Sequence, residues 1–351
     1  MQKNKEKQTG KNGTVPFFLF ERKTMKQTQK ERNPFPYSDS NKRYYTYDYY
    51  LRRTFGGKCA KIPLDGGFTC PNIDGRCGVG GCIYCSGNGS GDFTAPAALP
   101  IREQYCIVRK QLGKKWKTER CIAYFQPHTN TYAPLDVLLP LYGEALALPG
   151  VVGLNIATRA DCIGQGLPEA LEALSGRTVV TLELGLQTIH DETARKINRG
   201  HTYKTFTDAY HLIRKKAPHV RICVHLIFGL IGENDEMMVE TVQNVAALHP
   251  DEVKLHCLYV LKNTKLAEMY RDGAYFPLSE ERYVNLVVRA LEWLPPDVVI
   301  GRLTGDGAEN DLLAPLWTRR KLCVLNEIDK KIYAENSWQG KRLGGGALDV
   351  L

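Results

Sequence analysis

Three segments decide how this chain is read: VVTLELG at residues 179–185, YKTFTDAYHLIRKK at 203–216 and RICVHLIF at 221–228. The first and third are short, β-branched and almost continuously apolar, as strands covered on both faces are. The middle segment is a helical stretch. Outward from it the rhythm repeats, with apolar runs at 121–126, 151–157 and 252–260 and helical stretches at 135–148, 168–175 and 235–248. In the last of these Val239, Val242 and Val245 recur at helical spacing. Strand–helix alternation of this kind gives a parallel sheet with right-handed crossovers.

A further strand near 67–70 brings the count to about six β/α units, short of the eight that close a barrel. Residues 279–340 read as a helix, a strand at 298–304 and an amphipathic helix from about 315. The expected fold is therefore α/β: a partial (β/α)6 barrel with a C-terminal α/β extension packed on it. Residues 1–35 form a basic, disordered tail in this reading, 36–270 the barrel with a loop at 67–92, and 271–351 the mostly helical extension. In parallel α/β folds the chemistry sits at the carboxyl ends of the strands.

The formal charge is +9, and residues 1–33 carry nine basic side chains against three acidic ones. A solvated tail explains that surplus, and so does an arm that finds a nucleic-acid backbone. A second basic cluster spans 109–120. No apolar run approaches the ~20 residues of a membrane helix, so a cytoplasmic protein is expected. Tyr44, Tyr45, Tyr47, Tyr49 and Tyr50, interleaved with Arg43, Arg52 and Arg53, could stack on bases but more commonly such residues cover a barrel.

Eleven cysteines, odd in number and clustered, argue for metal or redox chemistry over a disulfide framework. Cys82 and Cys85 form a Cys-x-x-Cys pair, with Cys70 twelve residues before Cys82, in a loop so rich in glycine that it must wrap something. A four-ligand zinc site would need a second pair or well-spaced histidines. Three thiolates on a 4Fe–4S cubane leave one iron open to a chelating cofactor. Cys77 could replace Cys70 as the third ligand, and spacing alone leaves both open.

The segments Gly67-Phe68-Thr69-Cys70-Pro71-Asn72 and Gly80-Gly81-Cys82-Ile83-Tyr84-Cys85 resemble YhcC-type radical S-adenosylmethionine (SAM) proteins, relatives of the radical SAM domain of the Elongator catalytic subunit. The likeness continues through residues 124–132, 183–188, 198–201, 228–233 and 304–307, and covers roughly 36–340. It implies a 4Fe–4S cluster on Cys70, Cys82 and Cys85, with Cys77 in reserve, and SAM as cofactor. Tyr84 matches an aromatic near the adenine. Gln126, Thr129 and Asn130 stand where many relatives bind the methionyl amino group, although the usual Gly-Gly-Glu is missing. Glu183 and Gln187 end the fourth strand, Gln187 matching a ribose-binding glutamine. Arg199 matches an arginine that pairs with the SAM carboxylate, and Phe228 and Gly229 open the adenine-contacting turn. Ala157 replaces a glutamate on the third strand, for which Thr158 and Arg159 could compensate. Glu183 could equally be a paired core carboxylate, and His225 and His256 read as structural.

The kinship implies reductive cleavage of SAM to a 5′-deoxyadenosyl radical, a reductant such as flavodoxin or ferredoxin, and tRNA as substrate, through a modified wobble uridine side chain. A small metabolite or peptide substrate is the alternative within the class. A non-catalytic, metal-stabilised RNA-binding protein is the alternative outside it.

Overall fold

A computed structural model of the chain describes residues 33, 35–87, 89, 91, 93–113, 117–305, 307 and 310–343. The expected tail falls almost wholly outside them, as do residues 114–116 of the second basic cluster. In chain order the elements are α1 (Tyr47–Phe55), β1 (Ala60–Leu64), α2 (Ile101–Gly113), β2 (Cys121–Phe125), α3 (Leu135–Leu146), β3 (Val151–Thr158), α4 (Leu167–Ser175) and β4 (Val179–Gln187). Then follow α5 (Asp191–Lys196), α6 (Tyr203–Lys216), β5 (Arg221–Phe228), α7 (Asp235–Leu248), β6 (Glu252–Cys257), β7 (Val260–Leu261), α8 (Lys265–Arg271), α9 (Glu280–Trp293), β8 (Val299–Arg302), β9 (Leu312–Ala314) and α10 (Lys321–Ala334).

Seven parallel strands in the order β1-β2-β3-β4-β5-β6-β8 curl into a half-barrel. Their outer faces, with Ile62, Phe125, Ile156, Leu182, Val224 and Leu255 among them, pack under the helices in one continuous core. Burying such a face, at about 25 cal/mol per Å² of apolar surface, is what holds helix to sheet.

Two expectations need correction. The first strand is Ala60–Leu64, and residues 67–70 belong to the loop after it. Ile62 and Leu64 are fully buried, but Pro63 between them masks the strand in the sequence. An edge strand tolerates it, because β1 pairs only with β2. Gly67, at φ +73°, then turns the chain out of the extended conformation. The second correction concerns the run 252–260, which breaks after Cys257; Val260–Leu261 instead pairs antiparallel with β9.

The strand expected at 298–304 is β8, and it joins the barrel sheet beside β6. At the opposite, amino end of the strands α1 lies across the sheet. Tyr50 and Leu51 pack with Cys59, Ile122 and Val299, and Ile300 N donates to Tyr45 O at 2.8 Å. Tyr44 and Tyr50 are buried, so these tyrosines do cover the barrel. Among the described residues no helix is long and apolar enough to cross a membrane.

Candidate active site at the mouth of the half-barrel

The loop between β1 and α2 carries the clustered cysteines over the carboxyl ends of the strands. Its path is fixed by side chains from a neighbouring connection. Asn198, at φ +54° after α5, donates from Nδ2 to Val79 O (2.9 Å) and Gly81 O (2.7 Å). In return Asn72 Nδ2 donates to Asn198 O at 2.8 Å and approaches Cys82 Sγ at 3.4 Å. Neither Asn72 nor Asn198 carries a role in the reading from sequence. Their place inside matched motifs was the available signal.

Cys70, Cys82 and Cys85 lie within electrostatic reach of one another. The Cys82 and Cys85 thiols share a hydrogen bond. That bond, helped by Arg199 and Arg159 against burial, lowers the Cys82 pKa to about 5. The same bond, with burial, holds Cys85 well above its usual value. The pair thus favours holding one of its two sulfurs as a thiolate. Burial raises Cys70, whose Sγ accepts from Thr129 Oγ1 at 3.0 Å. Hydrogen-bond donors on sulfur, together with nearby guanidinium groups, are what a thiolate ligand set requires. This donor set fits an iron–sulfur cluster. Cys77 differs: it is exposed, its Sγ lies 3.6 Å from Arg159 Nη2 and 3.9 Å from Asp161 Oδ2, and it faces a groove of about 380 Å³ that includes His201 and Thr205.

Of the residues expected around SAM, most gather at this mouth. Arg199 is buried, donates from Nη2 to Gly185 O, and keeps an Nε with no partner among the described residues. Gln187 sits at φ +72°. A Cβ on Gly185 would lie 2.7 Å from Gln187 Nε2 and 3.1 Å from Arg199 Nη2, so only glycine lets both approach. A buried guanidinium with an unused N–H fits a carboxylate ligand. Arg159 is clamped by Asp161 through Nε (2.9 Å) and Nη2 (2.8 Å), with Nη1 buried and unpartnered among the described residues.

Asn130 is occupied in holding the mouth together. Its Nδ2 donates to Pro127 O (2.8 Å) and Ala157 O (2.9 Å), while Oδ1 is buried without a partner among the described residues. Thr158 Oγ1 meets Thr131 Oγ1 at 2.5 Å. Gln126 follows β2 directly, its N donating to Leu64 O at 3.2 Å. Tyr84 packs in a small cluster with Leu230 and Leu258.

Two expected residues are placed elsewhere. Phe228 turns its ring into the core against Tyr283, centroids 6.3 Å apart, so only its backbone reaches the mouth; Gly229 O accepts from Tyr275 Oη at 3.0 Å. Glu183 lies deeper, mid-strand on the concave face. Its Oε1 accepts from Asn155 Nδ2 (2.7 Å) and Lys61 Nζ (2.9 Å), its Oε2 from Lys254 Nζ (2.5 Å) and His225 Nε2 (2.9 Å). Every acceptor position is filled. Burial disfavours the charge, but Lys254 and Lys61 hold the Glu183 pKa well below its usual value. Burial likewise opposes the Lys254 ammonium, and Glu183 more than offsets it. Lys61 lies over the rings of Tyr124 (4.5 Å) and Tyr47 (4.9 Å). Glu183, Cys223 and His225 bring donor atoms within 4.8 Å, yet a cation there would face two ammonium groups, so the cluster is an ion-pair network. A lysine inside each of two apolar strand runs was the sequence signal for it.

A model described as the radical SAM superfamily matches residues 73–245, and one for the Radical_SAM C-terminal domain matches 250–334. The chain is 42% identical over 311 residues to the uncharacterized protein YtqA of Bacillus subtilis, covering 89% of this chain and 96% of that one. It is 34% identical over 295 residues to protein YhcC of Escherichia coli, covering 84% and 93%. The structure of Elp3 from the archaeon Methanocaldococcus infernus, with an N-terminal deletion, shares the fold at a TM-score of 0.60 and 17% identity, over 80% of this chain and 64% of that one. With three thiols at the mouth of a parallel half-barrel and full-length relatives of this kind, the chain belongs to the radical SAM superfamily, as a YhcC-type member related to Elongator's Elp3.

Proposed function

We propose that Cys70, Cys82 and Cys85 hold a 4Fe–4S cluster, that Arg199 and Gln187 orient SAM beside it, and that the enzyme modifies tRNA at a wobble uridine side chain. The observation that carries the cofactor reading is the gathering of Cys70, Cys82 and Cys85 in one loop beside the buried Arg199, whose Nε has no partner among the described residues. When bound, a reduced cluster supplies the electron that breaks the S–C5′ bond of SAM. The chain's own residues do the rest. Asn72 and Thr129 direct hydrogen bonds at the ligand sulfurs. Arg199 offers a permanent positive charge to a carboxylate, with Gln187 beside it across Gly185. Tyr84, Gln126, Thr129, Asn130, Thr158 and Arg159 complete the rim.

The tRNA reading is supported by the Elongator kinship and by the +9 charge with its basic amino-terminal segment. A reductant such as flavodoxin or ferredoxin is the expected electron source. Anaerobic reconstitution followed by measurement of 5′-deoxyadenosine, with and without bulk tRNA, tests both parts. Production without stimulation by tRNA would favour a small metabolite or peptide; a protein that binds RNA but makes none would be non-catalytic.

Arg199→Ala is expected to weaken SAM binding by about 1.5–3 kcal/mol, the value of a hydrogen bond to a charged group, with iron content unchanged. Unaltered affinity in equilibrium dialysis would remove Arg199 from the site. Cys77→Ala should retain full iron and SAM cleavage, because its thiol faces the Arg159 groove. Loss of iron in that variant would make Cys77 a ligand.

A further inference from the structure

A closed barrel fills its interior with branched aliphatic layers, whereas the concave face of this half-barrel is polar. Lys61, Tyr124, Asn155, Glu183 and Lys254 form the deep layer described above. Two imidazoles stand side by side against this layer: His225 on β5, in register with Lys254, and His256 two residues farther along β6, ring centroids 5.5 Å apart and tilted by 36°.

Glu183 fixes the state of the first. It is ionised and can only accept, so the Nε2 of His225, 2.9 Å from its Oε2, carries the imidazole proton. Nδ1 is then an obligate acceptor. No hydrogen bond engages it among the described residues, and the side chain keeps 18% of its surface exposed. His256 Nε2 is buried and has no partner among the described residues. Burial and Lys254 push His225 down to about 4, and burial with Arg302 pushes His256 well below its usual value. Both rings are therefore neutral at physiological pH. A histidine that merely fills a core has its nitrogens satisfied, and these two do not.

The neighbours exclude charge. On β4 it is Gly185 that registers against His225, while on β6 Lys254 registers against it. An anionic group would find Lys61 and Lys254 already bound to Glu183. A cationic group would face Lys254 and Arg302, which already act on His256.

We infer that His225 and His256 form the substrate-recognising pair of the lumen, and that they take an uncharged amide-type edge, N–H beside C=O. His225 Nδ1 accepts the N–H. His256, whose tautomer no neighbour fixes, donates to the carbonyl. This rests on the radical SAM reading for its place below the reacting cofactor, but the pair can be tested apart from it.

The probes are 2-pyridone, a ring amide, and N-methyl-2-pyridone, the same ring without the N–H. Each is titrated by ligand-observed NMR against the anaerobically reconstituted full chain, with iron and SAM binding measured on the same sample. The wild type should bind 2-pyridone at least tenfold more tightly than its methylated counterpart. His225→Phe should abolish that preference, and His225→Gln, whose amide oxygen still accepts, should retain it. His256→Phe should weaken both probes alike by removing the carbonyl donor. Equal binding of the two probes to wild type, no binding of either, or a preference that survives in His225→Phe would overturn the inference. If His225→Phe does not fold, the wild-type pair of titrations and His225→Gln still decide. Loss of iron or SAM binding in the wild type would instead count against the cofactor reading, and the pyridone result would stand independently.

Discussion

Cys82→Ala is expected to lose the cluster and, with it, all SAM cleavage. Iron should fall from about four per chain, the content of a 4Fe–4S cluster, to background, and the broad absorbance near 400 nm should vanish. Cys82 is lowered in pKa by its hydrogen bond with Cys85 and by the nearby Arg199 and Arg159. Asn72 adds a further donor at 3.4 Å. Removing Cys82 leaves two sulfurs where the cubane needs three protein ligands. Thiolate, not thiol, is the ligand. Full iron in anaerobically purified Cys82→Ala protein would contradict the assignment.

The second large effect is on stability. Glu183→Ala removes the carboxylate ion-paired to both Lys61 and Lys254, and leaves Asn155 and His225 without their acceptor. Breaking a buried ion pair from one side costs about 3–5 kcal/mol, because the remaining charge is left uncompensated. With an unfolding entropy of about 2.1 cal/mol/K per residue, each kcal/mol moves the midpoint of a chain this long by roughly 1–2 °C, so the melting temperature should fall by about 5 °C. Replacing the charges together, Glu183→Leu with Lys61→Met and Lys254→Met, should restore much of the loss, since apolar groups of similar volume often substitute for a buried ionic cluster. The measurement also separates two roles for Glu183. A residue buried in the deep layer changes unfolding and leaves SAM affinity near that of wild type. A residue touching SAM changes affinity, as Arg199→Ala should, and leaves the melting temperature within about a degree.

Much of the architecture was legible before any coordinates. The runs at 151–157, 179–185 and 221–228 correspond to β3, β4 and β5, because strands buried on both faces are apolar without interruption. The helices at 203–216 and 235–248 carry the bounds expected of them, each opened by a capping side chain: Thr202 accepts from Thr205 N and Asn234 from Met237 N. The thiol-bearing loop announced itself through glycine density and the Cys82–Cys85 spacing, and the family likeness through motifs in fixed order.

What sequence by itself determined, then, was which residues are strands, which are helices and which loop holds the sulfurs, since periodicity and local chemistry are written along the chain. Depth and partnership were decided only in three dimensions. Pro63 concealed β1 until its edge position made it harmless, and β8 became a barrel strand only by pairing with β6. Glu183 and Gln187 are four residues apart on one strand, yet the strand's rise puts the first among buried lysines and the second at the open mouth. Cys70 and Cys77 share one loop, but the turns between them send one thiol to Thr129 and the other to Arg159. Contacts between residues distant in sequence depend on register and curvature, which no local pattern records.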